Sequence, residues 1–187
     1  MQSMRGAMSG CADGARTFTD ASCDVGACAM HGGQSMRNRV ARLRGFGGPE
    51  QIEIAEATVP EAGPGEVRVR VLASSVQFTD TVIRRHRYPG IRNVFPLVLG
   101  YDVVGEVDQI GPGVRDLAIG DRVADLTVTG SNAELRTLRA EDVCRVPPGV
   151  DPAEAATVIL SWTTAYQMLH RVADLHEGSR VLVHGAA

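Results

Sequence analysis

The clearest pattern in the chain is the strict alternation of apolar and polar residues through residues 66–71, in an apolar stretch that extends to residue 73. A period of two predicts a β-strand with one buried face and one wet face. Shorter apolar runs predict further strands, separated by Gly/Pro turn clusters at 60–65 and 109–114. These runs lie near residues 40–43, 52–55, 98–107, 120–123, 133–138 and 143–146. Many short strands at close spacing predict a small β-barrel or sandwich.

Helix signals are confined to a short stretch at 78–85 and to the C-terminal part. Asp151 followed by Pro152 is typical of a helix start, with Asp as the N-cap and Pro at the first helical position. A second helix is predicted from about 161 to 173, with Trp162 in the core. Residues 179–184 then form a compact apolar run that leads into Gly185.

A buried strand followed by glycine and small residues is how a dinucleotide-binding βαβ unit begins, because glycine lets the backbone approach a pyrophosphate. A core strand that ends the domain has the same pattern. We expect the first reading, with the chain as the N-terminal part of a larger enzyme that is cut where its nucleotide-binding domain starts.

Residues 1–35 differ from the rest, since they are rich in Gly, Ala, Ser and Met and show neither period. We expect a disordered leader, placed upstream of a start at Met36. The alternative is a metal site made by Cys23, Cys28 and His31, but their spacing matches no strong zinc pattern.

Composition narrows the function classes. The chain is 44% hydrophobic with a formal net charge of -3, which argues against a protein built around binding nucleic-acid backbones. No apolar run approaches the roughly 20 residues of a membrane-spanning helix. Four cysteines do not make a disulfide framework, which favours a reducing, cytoplasmic location.

Several motifs, taken in order and spacing, carry a resemblance that covers about four-fifths of the chain. They are Pro64-Gly-Glu-Val-Arg-Val-Arg-Val71, Leu99-Gly-Tyr-Asp-Val-Val-Gly-Glu-Val107, Gly111-Pro-Gly-Val114, Gly120-Asp-Arg-Val123 and Val181-Leu-Val-His-Gly-Ala-Ala187. The chain resembles the medium-chain dehydrogenase/reductase superfamily. The resemblance implies a mainly β fold with some α: a GroES-like β-barrel catalytic domain at 36–150, then at 151–187 the linking helices and first strand of an incomplete Rossmann domain.

The resemblance also decides between the branches of that superfamily. Its zinc enzymes carry a Cys where this chain has Gln77, a His where it has Tyr101, and a later Cys that has no counterpart near residues 160–163. A catalytic zinc needs about three protein ligands, so no zinc is expected. What remains resembles the zinc-free quinone oxidoreductase branch, through Gln77-Phe78-Thr79-Asp80 and Tyr88-Pro89.

That branch implies hydride transfer from NADPH to a quinone or an α,β-unsaturated carbonyl, and it suggests the site residues. Tyr88 is the best candidate for the donor to the oxygen that gains charge, and Gln77 is a second one. Asp80 is a catalytic-site candidate that orients the loop or caps the short helix. The cofactor-binding candidates are Gln77, Thr164, Gly185 and Ala186.

Two alternatives stay open. One is the enoyl reductase module of a polyketide synthase, and the other is a truncated, noncatalytic GroES-like domain. A small-molecule substrate is expected both for a quinone oxidoreductase-like enzyme and for an enoyl reductase module. No nucleic-acid or membrane partner is expected, and the full-length form is expected to be a homodimer. The basic run at residues 84–87 is either a solvated helix end or a landing site for an anionic substrate or a 2′-phosphate.

Overall fold

The computed structural model describes residues 37–185. The predicted leader at 1–35, its alternative metal site at Cys23, Cys28 and His31, and the cofactor candidate Ala186 lie outside the described residues. The strands and the first helix follow one another as β1 (Asn38–Leu43), β2 (Ile52–Ala57), β3 (Glu66–Ala73), α1 (Phe78–Arg84), β4 (Leu97–Val98), β5 (Asp102–Ile110), β6 (Arg122–Leu126), β7 (Leu135–Arg139) and β8 (Cys144–Arg145). The strand predictions that fall between residues 38 and 146 are therefore confirmed to within a few residues.

The strands form two antiparallel sheets. The smaller has the order β2-β1-β4, and the larger has the order β7-β3-β5-β6-β8. A single bridge between Val40 and Ala133 links β1 to the segment before β7. The mainly β fold class is confirmed, and the strand pairing of the described residues gives two sheets and no closed barrel.

β3 lies inside the larger sheet, where it pairs with β5 on one side and β7 on the other. Val67 and Val69 are fully buried, as the alternation predicts. Arg68 is also buried, against the alternation, because its guanidinium donates to Asp108 Oδ1 at 2.8 Å and to the Pro60 carbonyl at 3.0 Å. A buried charge is tolerated when it is paired and hydrogen-bonded in this way.

The buried side chains form three clusters. The first lies on the larger sheet and comprises Val67, Val69, Val103, Val107, Val123 and Leu138. The second joins the smaller sheet to α1 through Leu43, Ile83, Leu99 and Tyr101, with Tyr88 packed against it. The third packs Ala155 and Ala156 against Val104 on β5. β5 therefore contributes to the first and third clusters, while Tyr101, the residue just before it, belongs to the second.

The C-terminal helices form one continuous helical run and not the two helices that the sequence predicts. The run comprises α2 (Pro152–Thr157), a π-helical segment (Val158–Trp162), α3 (Thr163–Tyr166) and a second π-helical segment (Gln167–Val172). Its start is as predicted, since Asp151 Oδ1 accepts from the Ala153 and Glu154 amides at 2.8 and 3.2 Å. No helix of the described part is long and apolar enough to cross a bilayer.

Two further expectations for this region are wrong. Trp162, predicted in the core, is 69% exposed. Residues 179–183 adopt no strand, and Leu182 is 79% exposed. A strand is stable only beside a hydrogen-bonding neighbour, and none of the described strands lies next to this segment.

Asp80 caps α1, which is the structural role that the sequence offers for it. The Gln77 amide donates to Asp80 Oδ2 at 2.8 Å, and the Gly100 amide donates to Asp80 Oδ1 at 3.4 Å. Because the side chain is buried, desolvation raises the pKa of Asp80, although both of these amides act in the opposite direction. The carboxylate thus ties the start of α1 to the segment that leads into β5.

Gly100 is needed where this segment turns. Its φ is +105°, and a Cβ at this position would lie 2.5 Å from the Asn132 amide nitrogen. Gly113 offers a comparison, because its φ is +87° but a Cβ there would meet no atom within 4 Å.

We predict that Gly100→Ala costs at least about 2 kcal/mol more in the free energy of unfolding than Gly113→Ala. Both variants place an alanine at positive φ, at a cost of about 1–2 kcal/mol, but only Gly100→Ala also forces a backbone clash of the kind that overpacking creates. Urea unfolding followed by circular dichroism measures both. Equal losses would show that Asn132 moves freely away.

We predict that Asp80→Asn becomes more stable relative to the wild type as the pH rises from about 4 to 7. Since the native pKa of Asp80 is raised, the folded state binds a proton more tightly than the unfolded state. Its contribution is therefore most favourable below the unfolded pKa and is lost as the pH rises through the native one. Asparagine has no such proton to lose, and its amide oxygen still accepts from a backbone amide.

Unfolding free energies of the two proteins, measured across this pH range, test the sign. Asp116→Asn, which removes an exposed carboxylate, controls for the change in net charge. A difference between the wild type and Asp80→Asn that stays constant with pH, or that moves the other way, contradicts the prediction.

Candidate active site

Each of the three predicted catalytic side chains contacts one of three consecutive residues at the start of β5. Asp80 accepts from the Gly100 amide. The Tyr88 hydroxyl is 2.6 Å from the Tyr101 hydroxyl. The Gln77 amide nitrogen lies 3.5 Å from Asp102 Oδ2. The structure therefore brings Gln77, Asp80 and Tyr88 together around the segment 100–102.

Gln77 lies in a polar network beneath this segment. Its side-chain nitrogen donates to Ser75 Oγ at 2.5 Å, and the Ser75 hydroxyl donates in turn to Asp102 Oδ2. The Ser75 amide donates to Asp102 Oδ1 at 2.7 Å, so both oxygens of this fully buried carboxylate are satisfied. The Gln77 nitrogen is thus engaged within the protein, which weakens its candidacy as a donor to substrate and favours a positioning role.

Tyr88 and Tyr101 form a hydroxyl pair at the edge of the second cluster. Their rings meet edge to face, with centroids 6.0 Å apart. Tyr101 is buried, while Tyr88 is half-buried. Burial, followed by the hydrogen bond with the Tyr88 hydroxyl, raises the pKa of Tyr101 to about 12. Tyr101 therefore keeps its proton at neutral pH, and its hydroxyl can act as a neutral hydrogen-bond donor.

Ser161 connects this site to the helical run. Its hydroxyl donates to Gln77 Oε1 at 3.3 Å. Thr164 follows three residues later, about one helical turn along, and its side chain is exposed. Gly185 is exposed as well, with φ +69° and open space where a Cβ would stand. The structure brings Gln77 next to the turn before Thr164, but it gives no contact between Gly185 and the other candidates.

The sequence pattern did not single out Ser75 or Ser161, because a lone serine carries no signal of its own. Tyr101 did carry one, since it occupies the position that corresponds to the zinc-binding His of the related enzymes. Among the described residues, no group of three or more His, Cys, Asp or Glu side chains is arranged to hold a metal ion.

Apolar side chains adjoin the polar network along the chain. Val76 and Phe78, on either side of Gln77, are 88% and 81% exposed, and Trp162 next to Ser161 is also exposed. Exposed apolar side chains therefore flank Gln77 and Ser161 along the chain.

Comparison with known proteins identifies the family. The family model of the alcohol dehydrogenase GroES-like domain matches residues 63–164, which is more than half of the chain. This range includes Gln77, Asp80, Tyr88, the segment 100–102 and Thr164.

Curated relatives agree with this match. The chain is 34% identical over 154 residues to the synaptic vesicle membrane protein VAT-1 homolog-like of Mus musculus, a match that covers 82% of the chain and 37% of that protein. It is 38% identical over 143 residues to a quinone oxidoreductase of Pseudomonas aeruginosa, covering 76% of the chain and 43% of the relative. It is also 37% identical over 143 residues to a phthioceranic/hydroxyphthioceranic acid synthase of Mycobacterium bovis, covering 76% of the chain and 7% of the synthase. The chain spans less than half the length of each.

Solved structures show the same fold. The human VAT-1 homolog-like protein superimposes with a TM-score of 0.71 at 34% identity, covering 76% of this chain and 46% of that one. The quinone oxidoreductase of Escherichia coli, solved in complex with NADPH, gives a TM-score of 0.64 at 27% identity, covering 72% of this chain and 41% of that one. The GroES-like fold expected from the motifs is therefore confirmed. The chain belongs to the alcohol dehydrogenase GroES-like domain family and, within the medium-chain dehydrogenase/reductase superfamily, to the quinone oxidoreductase branch.

Proposed function

We propose that this chain forms the substrate side of a zinc-independent, NADPH-dependent reductase, which transfers hydride to a quinone or an α,β-unsaturated carbonyl. The hydroxyl pair of Tyr88 and Tyr101, 2.6 Å apart beside the segment 100–102, is the observation that carries the proposal. A neutral donor here serves a substrate whose carbonyl oxygen becomes negative. The branch to which the chain belongs supports the reaction class.

The direction of the bond within the pair follows from burial. The Tyr101 hydroxyl is buried, so its proton must find an acceptor inside the protein, and the Tyr88 oxygen is the acceptor within reach. When Tyr101 donates to Tyr88, the proton of Tyr88 is left free to point at a ligand. The high pKa of Tyr101, about 12, keeps this arrangement intact at neutral pH.

The bound nicotinamide would supply the hydride. The Tyr88 proton would stabilise the negative charge that a reduced acceptor develops on its carbonyl oxygen. One such donor is typically worth about 2.7–4 kcal/mol in the transition state. Gln77 and Asp80 act as positioning residues in this scheme, since they hold the segment 100–102 and the start of α1 in place.

The residues present fit one side of a nicotinamide cofactor. Thr164 exposes a hydroxyl on the helical run, and the open space at Gly185 leaves room for a phosphate group to approach the backbone. They do not fit a zinc ion, because zinc prefers deprotonated or imidazole ligands. A phenol with a pKa of about 12 that already hydrogen-bonds to Tyr88 is a poor replacement for the His of the zinc enzymes.

A second candidate is an enoyl reductase module, favoured by the match to the mycobacterial synthase. The chemistry is the same, but the acceptor is an unsaturated acyl group. The noncatalytic alternative and the homodimer expected for a longer form stay predictions.

We predict that a reductase in which this chain is joined to a nucleotide-binding domain consumes NADPH when a neutral quinone or enone is supplied, and that dialysis against a zinc chelator leaves this rate unchanged. The loss of NADPH absorbance measures the rate, and comparing a quinone with an unsaturated thioester separates the two candidates. Inactivity with every acceptor favours the noncatalytic alternative. A rate that falls on chelation and returns with Zn²⁺ overturns the zinc-independent mechanism.

We predict that Tyr88→Phe lowers kcat roughly 100-fold while the Kd of NADPH changes little, because the lost bond forms to the charge of the transition state. Tyr101→Phe should lower kcat less, by roughly tenfold, since it only orients and polarises the Tyr88 hydroxyl. Because the two act as one unit, the effect of the double variant should fall short of the sum of the single effects.

Tyr166→Phe is the matched control, as it removes an exposed phenol from the helical run and should leave kcat unchanged. Single-turnover measurement of hydride transfer separates chemistry from product release. Full activity in Tyr88→Phe removes this residue from the mechanism, and additive effects of the two substitutions show that the pair does not act as a unit.

A further inference from the structure

The stretch from 81 to 101 contains four arginines and one histidine but no carboxylate. This is unusual in a chain of 187 residues with 22 acidic groups and a net charge of -3. All 19 basic residues of the chain are arginines. The stretch also contains Tyr88 and Tyr101, so the excess of positive charge flanks the proposed donor along the chain.

Most arginines of the described part are held by other groups. Bonds or ion pairs engage Arg37, Arg39, Arg42, Arg44, Arg68, Arg70, Arg84, Arg122, Arg136, Arg139 and Arg145. Those without a partner among residues 37–185 are Arg85, Arg87, Arg92, Arg115, Arg171 and Arg180. Three of these six lie within eight residues around Tyr88. We call Arg85, Arg87 and Arg92, all exposed, the arginine patch.

The turn that carries Arg85 and Arg87 is held by hydrogen bonds and by a ring stack. His86 has a left-handed backbone, with φ 53°, and its ring stacks on Phe46 at 4.0 Å with an interplanar angle of 9°. The His86 and Arg87 amides donate to the Ile83 and Val82 carbonyls at 2.8 and 2.9 Å. Arg87 immediately precedes Tyr88. Arg85 and Arg87 therefore lie on a hydrogen-bonded turn that leads directly to Tyr88, and Arg92 follows four residues after Tyr88.

Two simpler explanations account for only part of the arginine patch. Cations at the end of a helix are stabilised by its dipole, but this effect fades within one turn and does not reach Arg92. A neighbouring carboxylate could also neutralise the arginines. On the loop whose Phe46 stacks on His86, the first carboxylate after Phe46 is that of Glu50. However, its Oε1 accepts from the Gly48 amide at 2.9 Å, so it is already engaged locally. Unpaired guanidinium groups beside a site remain to be explained.

We propose that the arginine patch binds the phosphate group of a ligand whose reacting end lies at Tyr88. A guanidinium offers paired donors that match two phosphate oxygens, which makes unpaired arginines suitable for this group. The placement at Tyr88 rests on the proposed function, whereas the binding itself does not. The phosphate has two chemical sources: a phosphate-bearing carrier attached to the substrate, or the 2′-phosphate of the cofactor.

The test compares two triple variants with the same change in charge. One is Arg85→Gln/Arg87→Gln/Arg92→Gln, and the control is Arg115→Gln/Arg171→Gln/Arg180→Gln. Calorimetry measures the binding of coenzyme A and of 2′,5′-ADP to each protein at low salt. We expect the patch variant to weaken one of these probes at least about tenfold and the control to weaken it less than threefold, with an affinity that falls as salt is added. Selective loss of coenzyme A assigns the patch to the substrate, and selective loss of 2′,5′-ADP assigns it to the cofactor.

Equal weakening in both triple variants overturns the proposal, because it would mean that only overall charge matters. So does binding of neither probe by the wild type. Binding to vesicles of phosphatidylcholine and phosphatidylserine that disappears in the patch variant, with the soluble probes unaffected, overturns it in favour of a lipid surface. A separate assay, the reduction of a neutral quinone, tests the reductase assignment, so a failure of the proposed function can be told apart from a failure of phosphate binding.

Discussion

The arrangement of the site depends on one constraint, which is that the polar groups around the segment 100–102 are buried and must all find partners. Asp102 is fully buried, and its carboxylate is stabilised by Ser75, whose hydroxyl is held in turn by Gln77. Because a buried polar group without a partner costs about 1–3 kcal/mol, these contacts fix one another. Rotation of one side chain would leave several groups unsatisfied, so the network gives the proposed donor a rigid support.

The sequence predicted the sheet well and the C-terminal part poorly, and the reasons are physical. The alternation in β3 reports burial on one face, and Gly/Pro clusters mark its ends, so the strand could be located without any tertiary information. The helical run from α2 onward contains no internal Gly or Pro, yet the sequence analysis divided it into two helices. The apolar run at 179–184 has strand character, but strands need a neighbour, and local sequence does not say where that neighbour lies.

Within the site, the sequence predicted which side chains matter better than what they do. The motif positions pointed to Gln77, Asp80 and Tyr88, and all three contact one short segment. Their roles depend on partners far along the chain, such as Ser161, which lies 84 residues from Gln77. Gln77 could be judged as a donor only once Ser75 and Asp102 were known to occupy its nitrogen. Such long-range hydrogen bonds leave no periodic signal, since any polar residue can make them.

The exchange of an imidazole for a phenol at position 101 changes how charge would be stabilised. A zinc ion binds anionic ligands or neutral imidazoles, and its positive charge stabilises the negative charge that develops on the substrate. A phenol pair in place of a metal centre spares the fold the desolvation of an ion. The stabilisation available is smaller, because one hydrogen bond replaces a full ionic interaction. Such a site therefore suits acceptors that are already strong electrophiles, which is a property that quinones and conjugated carbonyls share.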